Sequence, residues 1–453
     1  MSGHLASLKE RALRSGGWVT GGYILSQVIR LGSNLILTRL LFPEAFGLMT
    51  IVFVLMTGFT LFSDFGVKQS IVQNKRGDQK EFLNTAWVVQ ICRGVLIWVS
   101  ILVAAYFLPH IVGLGWVPIG SVYANPLLPS ILSIISFVAL IQGFESTKIA
   151  LAQRNLEFKN ITFMDIFSQI IALIVTVSGA VLYPSVWSLV YGVIVGAFVR
   201  CIVSHLYLQG MPNRIMWDSQ CFHDIFHFGK WVFMLSILGF FVNNGDKILL
   251  GGLITPVQLG IYSIAFLLSG SLLGFFLAMM SKMVFPVFSE IFREQPSRLS
   301  VVYQRFQLIT DIFLFSVAGL LMFSAEMIVA ILYDSRYQDA GYMLSILSVS
   351  LIAIKYSVVH QCCLAMGELR YLFATTILVM ISMYILLPFG YEMFGMKGAL
   401  MFFVLSQFAG WPVAIYFIWK KGLIRWSTEV IGVPFFVVGA LIGFLFSELY
   451  SRV

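Results

Sequence analysis

Charged residues are scarce in this chain: they make up only 11% of its 453 residues, while hydrophobic residues make up 59%. A soluble globular domain carries about 25% charged residues, so the composition excludes that class. The five cysteines form no CxxC pair and no spacing typical of a secreted disulfide framework, and we interpret them as packing residues. A phosphate-binding glycine loop, a nucleophile elbow and an HExxH motif are all missing from the sequence. We therefore expect no catalytic residues, no cofactor and no metal site.

Long, continuous apolar runs predict an all-α integral membrane protein. A helix needs about 20 apolar residues to cross a bilayer, whereas barrel strands would alternate over about 10 residues. Thirteen spans are predicted, with twelve or fourteen as alternatives because the last is the weakest. They cover 16–38, 45–66, 84–108, 126–147, 161–182, 186–208, 229–253, 257–283, 306–332, 341–365, 370–394, 397–419 and 429–450.

The formal net charge of +8 is concentrated in alternate loops. One side of the predicted membrane carries Lys68, Lys75, Arg76, Lys80, Arg154, Lys159, Arg370, Lys420, Lys421 and Arg425, and the other carries Arg39, Arg336 and Lys397. Cytoplasmic loops are enriched in Lys and Arg, so this asymmetry predicts a cytoplasmic N-terminus in a multi-pass inner-membrane protein. Basic cytoplasmic loops also account for the net positive charge, so we expect no nucleic-acid binding.

The chain contains an internal repeat. The pattern Leu-x-x-Pro-x-x-x-Gly occurs at 40–47 and again at 253–260, so that Pro256 follows Pro43 by 213 residues. At about 35 residues per span and loop, this offset corresponds to six crossings, an even number that gives both copies the same orientation. The sequence therefore predicts two parallel six-helix bundles around a central cavity, at residues 1–212 and 213–420, followed by an extra membrane segment at 421–453.

Polar residues on the first helix of each half mark a candidate binding site. The repeat offset places Arg30 on Asn243 and Asn34 on Lys247, and each pair lies on one helix face at i, i+4 spacing. Because charge inside a span usually faces the bundle interior, we predict a substrate site that contains Arg30, Asn34, Arg93, Asn243, Asp246 and Lys247. The arginine fork suits a phosphate group. The alternative is that these charges pair with one another inside the bundle.

Other features of the spans are interpreted more simply. Glu145, Lys148, Arg200 and Glu326 lie near predicted span ends, where long side chains are expected to reach the membrane surface. Four Gly-x-x-x-Gly pairs, which begin at Gly17, Gly192, Gly270 and Gly439, predict close helix packing.

Several strings carry a resemblance to the Wzx-type flippases, the polysaccharide-transport branch of the multidrug/oligosaccharidyl-lipid/polysaccharide (MOP) exporter superfamily. They are RLLFPEAFG at 39–47, SDFGVKQSIVQ at 63–73, LNTAW at 83–87, FGKW at 228–231, NNGDKILLGGLI at 243–254, LGIYSIAF at 259–266 and FPVFSEI at 285–291. The resemblance covers most of residues 10 to 420 and depends on the order and spacing of the strings together.

This resemblance implies a function. It implies two MATE-like lobes, a substrate in which an oligosaccharide is joined through pyrophosphate to an isoprenoid lipid, and alternating access that turns the lipid to the periplasmic leaflet. Expected partners are membrane lipids and the polysaccharide polymerase and export machinery. The ion-coupling residue is left open between Asp64, Asp165, Asp246 and Asp311. The alternatives are a multidrug or cation antiporter of the same superfamily, a membrane polysaccharide polymerase and a non-transporting scaffold.

Overall fold

A computed structural model describes residues 2–115, 117–429 and 431–452, and the side chains of 2–15, 228–232, 234–235, 272, 275, 278–279, 281–283 and 427–428 lie outside the described set. All regular structure in the described residues is helical. The chain divides into two compact units, Met1–Phe241 and Val242–Val453. The division falls inside one long helix, and the lobe boundary predicted after residue 212 stays a prediction.

Helices of the first unit follow the predicted spans. They are α1 (Ser2–Leu40), α2 (Pro43–Leu61), α3 (Val67–Gln73), α4 (Lys80–Gly113), α5 (Leu128–Ile135), α6 (Phe137–Gly143), α7 (Lys148–Arg154), α8 (Phe158–Leu182), α9 (Val186–Leu206) and α10 (Ser219–Leu253), which continues into the second unit. Asp218 accepts a 2.7 Å hydrogen bond from the Cys221 backbone N–H, which stabilises the start of α10. This bond lowers the pKa of the Asp218 carboxyl.

The second unit contains the remaining helices. They are α11 (Pro256–Glu294), α12 (Leu299–Leu332), α13 (Ala340–Ser348), α14 (Ser350–Ala353), α15 (Ser357–Ala365), α16 (Leu369–Gln407), α17 (Trp411–Lys420), α18 (Trp426–Glu429) and α19 (Gly432–Ser451). Helix α16 contains a kink at Phe394 and Gly395, and Gly395 has a φ of +62°, which a residue with a side chain rarely adopts. The kink separates the spans predicted at 370–394 and 397–419.

In the described part of the chain, eight helical segments are long and apolar enough to cross a membrane. A ninth is formed if Leu128–Gly143 and Lys148–Arg154, which meet at an angle of 59°, are counted as one broken span. These helices confirm the predicted all-α membrane fold. Two predicted spans are interrupted: 126–147 is divided between α5 and α6, and 341–365 between α13, α14 and α15.

The repeated prolines occupy the same structural position in both copies. Pro43 and Pro256 each stand at the start of a helix, α2 and α11. Proline is favoured there because its φ suits the helix and the first backbone N–H has no helical partner. Before α11, the Thr255 hydroxyl accepts a hydrogen bond from the Gln258 backbone N–H, and the Gln258 side-chain oxygen accepts one from the Thr255 N–H, which forms a capping box. The repeat therefore encodes one helix–turn–helix structure twice.

The final helix packs closely on α12 through glycine. A methyl group on Gly439 would overlap the backbone carbonyl of Ser316, and one on Gly443 would overlap that of Leu320. Gly192 and Gly196 are similarly close to Thr176 and Ala172 on α8, so close packing is confirmed for these two pairs. The Gly17 and Gly21 positions have open space around them, and the packing prediction is wrong for that pair within this structure.

This packing gives a direct test of the C-terminal helix. We expect Gly439→Ala to destabilise the protein by about 1–3 kcal/mol, because the α12 and α19 backbones must separate to admit a methyl group. Gly21→Ala is the matched control, since nothing lies within 4 Å of the added atom, and its thermal stability should be equal or slightly higher. Equal melting temperatures for the two purified variants would contradict the close α12–α19 contact.

Candidate functional site

The charged site of the first unit surrounds Arg93 on α4. The guanidinium donates 2.6 Å and 3.2 Å hydrogen bonds to the Thr60 carbonyl and the Ser63 hydroxyl, and it lies 3.5 Å from the Asp64 carboxylate. The last turn of α2 and the turn that follows it present these partners to α4. Arg93 and Asp64 keep 17% and 19% of their side-chain surface exposed, so the pair remains accessible from the neighbouring cavity.

A cavity of about 260 Å³ extends from this ion pair. Its lining also includes Lys68, Gln90, Glu145 and Arg200, from α3, α4, α9 and the broken segment between α6 and α7. Gln90 donates to the backbone carbonyls of Gln142 and Glu145, and these bonds stabilise the end of α6. The cavity therefore lies beside an interrupted helix, an arrangement that is common at transporter binding sites.

Two more carboxylates complete the charges around this cavity. Glu145 is 2% exposed, accepts a hydrogen bond from Arg200 and lies 3.8 Å from the Lys68 ammonium. Arg200 also donates to Asp165 at 2.9 Å. The expectation that Glu145 reaches the membrane surface is therefore wrong, because its carboxylate is buried against Arg200.

An apolar cavity of about 310 Å³ also has Arg93 in its lining. The described residues that line it are Phe65, Val89, Cys92, Arg93, Leu96, Trp217, Phe222, Ile225 and Phe226. Phe65 packs on Phe226 with ring centroids 5.6 Å apart, and Trp217 packs on Phe222 at 4.8 Å. Arg93 therefore borders both a charged cavity and an aromatic one, as a site for a molecule with an anionic head and an apolar tail would require.

Arg30 and Asn34 occupy α1 of the same unit, apart from the Arg93 cavity. Arg30 is exposed, and within the described residues no carboxylate lies within salt-bridge distance of it. Asn34 is half-buried. The polar face of α1 continues toward its N-terminal end, where Gln27 donates to the Tyr23 hydroxyl at 2.8 Å. Their predicted role in binding stays a prediction.

The counterpart polar cluster on α10 belongs to the second unit. Asp246 is 2% exposed, accepts a 2.6 Å hydrogen bond from the Tyr262 hydroxyl and lies 3.2 Å from the Lys247 ammonium. That ammonium also lies 3.7 Å from the centroid of the Phe266 ring, a cation–π geometry. Asn243 is exposed one turn earlier. Internal ion pairing, the alternative that the sequence left open, is therefore present for Lys247 as it is for Arg93.

A buried triad, defined as Asp311, Lys355 and Glu429, forms the second charge cluster of this unit. The Lys355 ammonium lies 3.3 Å from Asp311 and 3.0 Å from the Glu429 carboxylate, and it donates to the Glu429 backbone carbonyl at 2.7 Å. Gln307 donates to Asp311 at 3.0 Å and to the Lys355 carbonyl at 3.2 Å. Sequence reasoning missed Glu429 because it lies outside both repeats, on the short helix before the final span.

Comparison with known proteins agrees with this architecture. Residues 36–342 match the family described as "Polysaccharide biosynthesis protein". The lipopolysaccharide biosynthesis protein WzxC of Escherichia coli (strain K12) is 22% identical over 325 residues, which cover 70% of this chain. The match spans 61% of the length of WzxC. These two findings confirm the resemblance to Wzx-type flippases.

Solved structures share the fold across nearly the whole chain. The lipid II flippase MurJ, in an inward closed conformation, superposes with a TM-score of 0.68 at 15% identity, covering 95% of this chain and 98% of that one. An inward-facing multidrug resistance MATE family transporter of the MOP superfamily gives 0.64 at 15% identity, covering 89% and 95%. These likenesses establish the MOP fold, and the sequence match over residues 36–342 places the chain in the polysaccharide biosynthesis protein family.

Proposed function

We propose that this protein moves an isoprenoid (undecaprenyl) pyrophosphate-linked oligosaccharide from the cytoplasmic to the periplasmic leaflet of the bacterial inner membrane. The observation that carries the proposal is that Arg93 lines both a charged cavity and an aromatic, apolar one. A guanidinium binds phosphate oxygens through paired N–H donors, and an isoprenoid chain matches the apolar lining. The relatives WzxC and MurJ, whose names refer to lipopolysaccharide biosynthesis and lipid II flipping, support the same substrate class.

The physical need for such a protein follows from the cost of burying charge. An unpaired pyrophosphate cannot enter hydrocarbon, because an ion without a partner pays a desolvation penalty of many kcal/mol. In the proposed cycle Arg93 releases part of its contact with Asp64 and binds the pyrophosphate, while the lipid tail stays in apolar surroundings. Alternating exposure of this site to the two membrane faces completes the transfer without covalent chemistry.

Further roles in this cycle are proposals that depend on the sequence predictions. Arg30, Asn34, Asn243 and Lys247 would contact the substrate head group. Among the coupling candidates, we favour Asp246 and Asp311, because each is buried beside a lysine, whereas Asp64 and Asp165 are partly exposed. A cytoplasmic N-terminus agrees with the basic loops. In that orientation the product would reach a polysaccharide polymerase on the opposite side of the membrane.

Lipid analysis of a deletion strain tests the proposal. We expect isoprenoid-linked oligosaccharide to accumulate and to resist periodate added outside intact spheroplasts, because the glycan remains on the cytoplasmic leaflet. Restoring the gene should expose it. Normal amounts of lipid with normal exposure in the deletion strain would contradict the proposal.

A further inference from the structure

A second polar cavity, in the second unit, has chemistry different from that around Arg93. Its volume is about 290 Å³. The polar and aromatic residues of its lining are Asn243, Tyr356, Ser357, His360, Thr375, Thr376, Gln407 and Trp411. Of the described residues that line it, none carries a carboxylate, an ammonium or a guanidinium. A cation or a pyrophosphate would find no opposite charge there, whereas a neutral molecule with many hydroxyl groups would find donors and acceptors.

The cavity lies at the break in the span predicted at 341–365. Helix α14 ends at Ala353, a 3₁₀ turn covers Ile354–Tyr356, and α15 begins at Ser357. Short 3₁₀ stretches inside helices often mark functional positions. The cavity around Arg93 lies beside the break that follows α6 in the first unit, and the 213-residue offset places Gln142, near the end of α6, on Lys355 in the 3₁₀ turn. Interrupted helices thus border a cavity in both repeats, one charged and one neutral.

Two rings are fixed at the neutral cavity by hydrogen bonds at their polar ends. The Trp411 indole N–H donates to the Ala353 carbonyl at 3.0 Å, and the Tyr356 hydroxyl donates to Glu429 at 2.8 Å. The rings meet edge to face with centroids 5.2 Å apart. Because their polar ends are occupied, each ring offers apolar surface, which suits the C–H face of a pyranose ring.

One polar group at this cavity has an unused hydrogen-bonding capacity. The Ser357 hydroxyl is buried and has no hydrogen-bond partner among the described residues. A buried hydroxyl without a partner costs about 1–3 kcal/mol, so a native protein normally supplies one. Two other polar groups of the cavity, the Thr375 hydroxyl and the His360 Nε2, lie 3.3 Å apart. Gln407 contributes an amide with both a donor and an acceptor.

We propose that this cavity binds a neutral sugar residue of the transported glycolipid. The inference rests on the proposed function and adds a saccharide subsite to it. The volume suits a single sugar ring with its hydroxyl groups rather than a whole oligosaccharide. Of its described lining, sequence reasoning identified only Asn243, because the residues come from six α-helices and two 3₁₀ turns and each of the others alone is an ordinary residue of a membrane span.

The experiment measures the affinity of the purified full chain in nanodiscs for two probes. One is undecaprenyl pyrophosphate oligosaccharide extracted from the producing strain, and the other is undecaprenyl pyrophosphate without sugar. We expect Ser357→Ala and Gln407→Leu to weaken binding of the glycolipid by about fivefold to tenfold, as the loss of one or two hydrogen bonds predicts, and to leave binding of the sugar-free lipid unchanged. Ser350→Ala is the matched control, because its hydroxyl donates to the Leu347 carbonyl at 2.6 Å outside the cavity.

Thermal unfolding without lipid separates binding from folding. Removing the unpartnered Ser357 hydroxyl should leave the melting temperature unchanged or raise it slightly, since no hydrogen bond is lost. Unchanged glycolipid affinity, or an equal loss for both lipids, would overturn the saccharide subsite and leave the proposed function intact. If the unaltered protein binds neither lipid, the proposed function fails and the subsite fails with it.

Discussion

Replacing Arg93 with Gln should reduce the rate of glycolipid transfer by about 100-fold, while the protein still inserts and folds. A charge-assisted contact to an anion that is removed from water contributes about 2–5 kcal/mol, and about 1.4 kcal/mol corresponds to a factor of ten. The transfer rate of Arg93→Lys should lie between those of the unaltered protein and Arg93→Gln, because lysine keeps the charge and loses the planar fork. Transfer is measured as the rate at which the glycan becomes exposed to periodate in cells that carry each variant.

Arg93 also donates hydrogen bonds to the end of α2. Two controls separate this structural role from substrate binding. Ser63→Ala removes the 3.2 Å hydrogen bond to Arg93 and leaves its charge in place, so transfer should fall by less than about threefold. Arg370→Gln makes the same chemical change at an exposed surface pair with Glu368 and should have no effect on transfer. Equal losses of transfer in Arg93→Gln and Ser63→Ala would mean that Arg93 only stabilises the end of α2 and does not bind the substrate.

The second large effect is expected at the buried triad. Lys355 is 2% exposed and stands between Asp311, which is fully buried, and Glu429. Lys355→Met should destabilise the protein by about 3–5 kcal/mol, because it leaves two carboxylates buried without a cation. The loss should appear as a lower melting temperature and lower yield of the purified protein, relative to Lys420→Met at an exposed position.

Neutralising the whole triad tests whether charge, and not the shape of the side chain, causes that loss. The variant that combines Lys355→Met with Asp311→Asn and Glu429→Gln should regain most of the stability, since no unpaired charge remains. Removing residues 421–453 should also destabilise the second unit, because α12 loses the close packing of α19 and Lys355 loses both of its contacts with Glu429. A stable Lys355→Met protein would show that the triad does not anchor the C-terminal segment.

The helices of this protein could be predicted from sequence because the bilayer imposes a single rule, a long apolar run. The kink at Gly395 lies between the spans predicted at 370–394 and 397–419, because the two apolar runs are separated there. The breaks after Gly143 and around Ile354–Tyr356 were not predicted. Both breaks lie inside spans that were predicted from apolar runs, 126–147 and 341–365, and tertiary hydrogen bonds from Gln90 and Trp411 stabilise the interruptions.

The charged residues were identified more reliably than their partners. The sequence placed Arg93, Asp246, Lys247 and Lys355 inside spans, and the structure gives each an oppositely charged neighbour. The partner is adjacent in sequence only for Asp246 and Lys247, which pair with each other. Glu145 was misjudged because its position near a span end suggested exposure, whereas Arg200 from α9 covers it. Such pairings depend on the packing of distant helices, which a single sequence does not encode in its periodicity.

Transfer in a reconstituted membrane tests the central claim most directly. Purified protein is placed in liposomes that contain the extracted undecaprenyl pyrophosphate oligosaccharide, and periodate outside the vesicles oxidises only the glycan on the outer leaflet. We expect the protected half of the glycolipid to become accessible when the protein is present, and to remain protected with Arg93→Gln or with no protein. A protected fraction that stays constant in the presence of folded, unaltered protein, across pH and sodium gradients of either direction, would contradict the flippase account.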